Sequence, residues 1–361
     1  MNAPANRSPR TFCGADLPTN PLGASGMADT PTISVDPEKT SVVLEYKHVR
    51  PLTACHWEPR SRFVFFGAED SLVHRFDVAG QTVVSLAAHQ TWVRSFGSSP
   101  DGDVLYSGGY DGRLVYWPAA AEAPEPLRVI DAHQGWVRAM AVSPNGESVA
   151  TCGNDLLVKV WNAADGTLVK QFAGHKSHVY NLIFLRDGAT LVSCDLKGTM
   201  IAWTLDSDAP RELLTVEALH KYDEGFRADI GGARSIALRS DGAQLALGGI
   251  TNVTNAFAGV GEIAVALVNL AEPKLDRLLE SKEKTQGTVW GVAHHPDGFW
   301  IGLSGGGGGG WLWFWKEDSN HEFFKLKLKS DGRGMSLSPD QTQLAVAHAD
   351  SHLRTYALHA V

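Results

Sequence analysis

The 361-residue chain carries 32 Lys and Arg against 40 Asp and Glu, a formal charge of −8, and 43% of its residues are apolar. A net acidic chain is a poor general binder of nucleic acid or anionic membrane, which both require a positive field, and no apolar run is long enough for a membrane-spanning helix. The 37 Gly and 11 Trp suit short strands joined by tight turns.

Residues 1–38 are rich in Pro, Ala, Ser, Thr and Asn and have no apolar periodicity, so they are predicted to be disordered. They lack the apolar core of a secretory signal. Met27 opens MADTPT within this stretch and is an alternative start. The folded domain is expected over 39–361. Cys13, Cys55, Cys152 and Cys194 show no metal-type spacing, which fits a reducing, cytoplasmic setting.

Two segments then repeat closely. AHQTWVRSFGSSPDGDVLYSGGYDGRLVYW covers residues 88–117, and AHQGWVRAMAVSPNGESVATCGNDLLVKVW covers 132–161, an offset of 44. A third copy opens with GHKSHVYNLIF at Gly174 and ends at Trp203, offset by 42. Each copy reads as four strands, because alternating apolar runs are separated by Gly, Pro, Asn and Asp. A period of about 40 residues, with a His near the start and a Trp closing the third strand, resembles the WD-repeat propellers.

The resemblance implies an all-β, seven-bladed propeller. In that family one His, one Ser or Thr, one Asp and one Trp hydrogen-bond within a blade. Here His89, Ser107, Asp111 and Trp117 stand at intervals of 18, 4 and 6, and His133, Thr151, Asp155 and Trp161 repeat them. His175, Ser193 and Trp203 fit as well, but Lys197 replaces the Asp, so that blade is expected to have an incomplete network. A buried His needs partners, which gives this set a structural purpose.

The same ruler finds a degenerate first blade at His48, Phe66, Asp70 and Phe76, and a last one ending in Asp350 and Tyr356. Two more lie at RSIALRSDGAQLALGG and VWGVAHHPDGFWIGLSGG, for a total of seven. The chain ends on a third strand near Leu358. Residues 41–48 (SVVLEYKH) are therefore the expected fourth strand of the last blade, closing the ring and removing a sheet edge.

The resemblance also places the His loops and Asp turns on one face. Residues flanking the apolar position four after each His should rim the channel there. They are Trp92 and Arg94, Trp136 and Arg138, and His178 and Tyr180. Degenerate blades supply Pro51 and Thr53, Thr288 and Trp290, and Asp331 and Arg333. Glu69, Tyr110 and Asn154, each one residue before the turn Asp, sit beside them. Trp, Tyr and Arg dominate binding hot spots, although the same side chains can pack between blades.

Two long loops, residues 220–232 and 250–262, are assigned to the same face and fit either function or tolerated insertion. The glycine run 305–310 lacks a phosphate-loop signature and is expected to be a mobile turn. No catalytic motif, metal set or cofactor site is expected. The function implied is a non-catalytic scaffold, a monomeric propeller within a complex, holding a protein or peptide on the His-loop face. Facing arginines favour an acidic or phosphorylated segment. Two alternatives stay open: a propeller enzyme with groups over the channel, and a binder of small anions through Arg94, Arg138 and Arg333.

Overall fold

The computed structural model describes residues 34–207, 209–255 and 258–360. Cys13, Met27 and most of the expected disordered segment, 1–33, lie outside the described residues. Residues 34–38 belong with the folded domain instead. The Asp36 amide donates to the Leu358 carbonyl at 2.7 Å, Pro37 is buried in a short 3-10 turn, and Val35 packs on a core cluster.

Seven four-stranded antiparallel sheets form the blades. Their inner strands are Leu52–Trp57, Val93–Ser98, Val137–Val142, Val179–Phe184, Ser235–Leu238, Thr288–His295 and Gly332–Leu337. Each inner strand touches the next, and the last touches the first, so the ring is complete. The seventh blade takes its outer strand from the opposite end of the sequence: Ser41–Lys47 pairs with His352–Ala357. Glu45 on this closing strand accepts from Arg354 Nε at 2.5 Å and Lys329 Nζ at 3.0 Å.

Position within a blade explains the apolar pattern. A second strand is covered on both faces by neighbouring blades, so it is mostly apolar, as Phe63–Ala68 is. An outer strand such as Arg128–Asp131 is largely exposed. The core is a set of inter-blade seams; one joins Cys152, Val160 and Phe172 of blade 3 to Val179, Leu191 and Trp203 of blade 4. The turns between first and second strands require Gly102 and Gly146 at φ of +69° and +73°, which a side chain resists.

The polar network holds in blades 2 and 3 as the spacing predicts. His133 meets Asp155 at 2.8 Å through Nδ1 and Thr151 at 2.8 Å through Nε2, while Trp161 donates to Thr151 at 2.9 Å. His89, Ser107, Asp111 and Trp117 make the corresponding contacts.

Blade 4 corrects the sequence reading, because its network is complete. Asp195, two residues before Lys197, reaches His175 Nδ1 at 3.2 Å. His175 also meets Ser193 at 2.6 Å, and Trp203 donates to Ser193 at 2.8 Å. The equivalents of Asp195 in blades 2 and 3 are Gly109 and Gly153. A Cβ on Gly109 would lie 2.5 Å from His89 Nδ1, so a side chain at this position aims at the imidazole. Lys197 instead pairs with Asp229 at 3.4 Å.

Asp229 belongs to the loop 220–232, which is a hairpin of His220–Asp223 and Ala228–Gly231. The insertion 250–262 is also a hairpin, extending the paired strands Gln244–Asn255 and Val260–Asn269. Lys221 Nζ donates to the Val253 carbonyl at 2.6 Å and ties the two together. The glycine run is a hydrogen-bonded turn. Gly308 donates to Gln286 at 2.9 Å and Gly309 to Gly306 at 2.7 Å.

Candidate functional site

The site arises from an irregularity repeated around the ring. Six inner strands shift register against their second strands near their first residues. The residues displaced are Thr53, Arg94, Arg138, Tyr180, Trp290 and Arg333. A β-bulge re-aims the side chain it displaces, and here each is turned into the channel mouth. Arg234 holds the same place in blade 5, its amide donating to Gly248 at 2.7 Å. All seven line one cavity of about 360 Å³, together with Trp92, Tyr110, Gly305, Gly306, Asp331 and Gly332.

The structure thus brings Trp92, Arg94, Tyr110, Arg138, Tyr180, Trp290 and Arg333 to a common cavity. Trp136, Asn154, His178 and Glu69 lie outside its lining. Three of these hold lining residues in place. Trp136 stacks on Tyr110 with centroids 3.9 Å apart and planes 6° from parallel. Asn154 accepts from Arg138 Nε at 2.7 Å, and Glu69 accepts from Arg333 at 2.6 Å. His178 stays near Arg138; burial and then that cation hold its imidazole below the ordinary range. Arg234 escapes the sequence rule because blade 5 has no network His from which to count. The visible signal is Gly-Ala-Arg-Ser opposite Trp-Val-Arg-Ala of blade 3, with Ala233 as buried as Val137.

Cations and rings alternate around the mouth. The Arg94 guanidinium lies 5.5 Å from the Trp290 centroid. Arg234 lies 5.7 Å from Trp290 and 4.3 Å from Tyr180. Arg138 follows at 4.5 Å from Tyr180 and 4.4 Å from Trp136. Such contacts steady a guanidinium without neutralising it. Arg94 also donates to the Thr53 carbonyl, whereas the buried Nε of Arg234 has no hydrogen-bond partner.

Four arginines and one carboxylate, Asp331, line the cavity, and Glu69 behind them pairs with Arg333. Burial first, and then the like charges of Arg234, Arg333 and Arg138, hold Arg94 below the ordinary arginine range. Burial does the same to Arg138. Arginine stays protonated regardless, so the mouth is a confined positive field on an acidic protein.

A family model for the WD domain, G-beta repeat, matches residues 80–118, 124–162 and 166–204. The chain is a seven-bladed propeller that carries WD40 repeats. The matches fall on blades 2, 3 and 4, the blades whose His, hydroxyl, carboxylate and Trp are all present. No curated protein matches the chain as a relative. WD40 propellers are in general non-catalytic scaffolds for protein and peptide partners. Among the described residues no helix is long and apolar enough to cross a membrane.

Proposed function

We propose that this WD40 propeller is a scaffold that captures an acidic or phosphorylated segment of a protein partner at the His-loop mouth. One observation carries the reading: the six bulge positions and Arg234 set four arginines, alternating with Trp and Tyr, around one cavity. A guanidinium pairs bidentately with carboxylate or phosphate, and Arg, Trp and Tyr are the residue types enriched in binding hot spots. The field is local, because charges farther away than about 10 Å are screened at ordinary salt. The buried free thiols of Cys55, Cys152 and Cys194 support a reducing, cytoplasmic setting.

The test is affinity capture with mass spectrometry, run beside thermal unfolding, on wild type and on Arg94→Ala with Arg138→Ala. The double variant should lose its acidic partners while its Tm moves by no more than a few degrees. A folded variant that retains every partner would overturn the reading. The cavity is also large enough for a small anion; a Tm rise of wild type with inorganic polyphosphate, without captured protein, would favour that second reading.

A further inference from the structure

We propose that His48, Asp70 and His74 bind one divalent transition-metal ion where the closing strand meets blade 1. The cluster differs from the networks of blades 2 to 4. There the His uses Nδ1 for the carboxylate and Nε2 for a hydroxyl. In blade 1 Phe66 and Phe76 replace the hydroxyl and the indole, and His48 turns Nε2 to Asp70 at 2.9 Å. A second imidazole, His74, brings its own Nε2 to the same carboxylate at 3.1 and 3.2 Å. The repeat does not call for it, since blade 2 has Val115 at that position. Interval counting misses it, because His74 falls outside the ruler of 18, 4 and 6.

The three ligand atoms lie within 4.8 Å of one another. Two imidazoles and one carboxylate form a donor set suited to Zn2+ and its neighbours in the series, and not to the hard oxygen-seeking ions. Both ring planes are fixed. Phe66 stacks on His74 with centroids 4.8 Å apart and meets His48 edge-on at 5.6 Å. The Ser85 hydroxyl lies 3.0 Å from His74 Nδ1. An Nδ1–H donated to Ser85 leaves the Nε2 lone pair for a metal and fixes the ring's orientation toward it. The imidazoles are 9% and 2% exposed and Asp70 21%, so the approach is from the Asp70 side, where water can complete the coordination. The His48 amide is bonded to Ser351 of blade 7 at 2.7 Å. A bound ion would therefore clip the ring closure to the first blade.

The experiment uses untagged, chelator-treated full-length protein, titrated with Zn2+ by calorimetry and followed by thermal unfolding. Wild type should take one equivalent and gain several degrees in Tm at a hundredfold excess over Kd. His74→Val, the residue of blade 2, should bind at least tenfold more weakly while melting like metal-free wild type. Absence of a saturable equivalent in wild type, or equal affinity in His74→Val, would overturn the proposal. Should His74→Val not fold, Asp70→Asn, nearly the same shape, is judged by the same two criteria.

Discussion

Blades 3 and 4 bury the same imidazole against the same hydroxyl and indole, yet supply its carboxylate from different positions. In blade 3 Asp155 stands in the turn, 2.8 Å from His133, and also accepts from the Gln134 and Leu157 amides at 3.2 and 3.3 Å. In blade 4 Asp195 ends the second strand, 3.2 Å from His175, and accepts from the Lys197 and Thr199 amides at 2.9 and 3.0 Å. The requirement is an oxygen at one point in space, because an unpaired buried donor costs about 1–3 kcal/mol. Once Asp195 meets it, the turn position is free for Lys197, which anchors the hairpin of blade 5 through Asp229. A repeat that departs from its consensus by two positions can keep the physics and acquire a contact.

The most severe challenge to this equivalence is Asp195→Gly, which should cost about 1–3 kcal/mol in denaturant unfolding, as Asp155→Ala should. Adding Lys197→Asp to Asp195→Gly rebuilds the arrangement of blade 3 and should recover most of the loss. A double variant no more stable than Asp195→Gly would show that the two positions are not interchangeable.

Acid tests the carboxylate on the closing strand. Hydrogen bonds from Arg354 and then Lys329 hold Glu45 down at about 2. A depressed carboxylate stabilises the fold above its unfolded pKa, about 4.3, and that contribution is lost as pH falls through its folded pKa. Glu45 is about one-third exposed, so screening reduces its worth, and Glu45→Gln should cost about 1 kcal/mol at pH 7. Plotted against pH, the Tm of Glu45→Gln and of wild type should differ at neutrality and converge near 2. A constant gap would place the effect elsewhere. The smallest effect is expected for Lys197→Ala. Its half-exposed ion pair is worth less than about 0.5 kcal/mol, measured in the same unfolding series.

The fold was legible because the repeat constrains both faces of every strand, and because a third strand at the end demanded a partner at the beginning. The network of blades 2 and 3 was legible for the same reason. Asp195 was not, since interval counting sees positions while the imidazole senses distance. At the mouth, Arg94, Arg138 and Arg333 could be found by counting from a His or its degenerate equivalent. Arg234 could not, because its blade has no network His from which to count. Trp136, Asn154 and Glu69 were placed at the rim but act one step behind it, a distinction that depends on side-chain direction.

The pairing of Ser41–Lys47 with His352–Ala357 also sets an order of events during synthesis. The first strand made is the last to find its place. At roughly 5–20 residues per second, the intervening stretch of about 300 residues takes some 15–60 s to translate. For that interval six blades can be assembled in sequence while the seventh consists of its outer strand alone, and Val42 and Val43 wait without a neighbouring strand. The same stitch that makes the finished ring hard to open leaves the nascent chain open for longest, and that interval is when a chaperone would have most to cover.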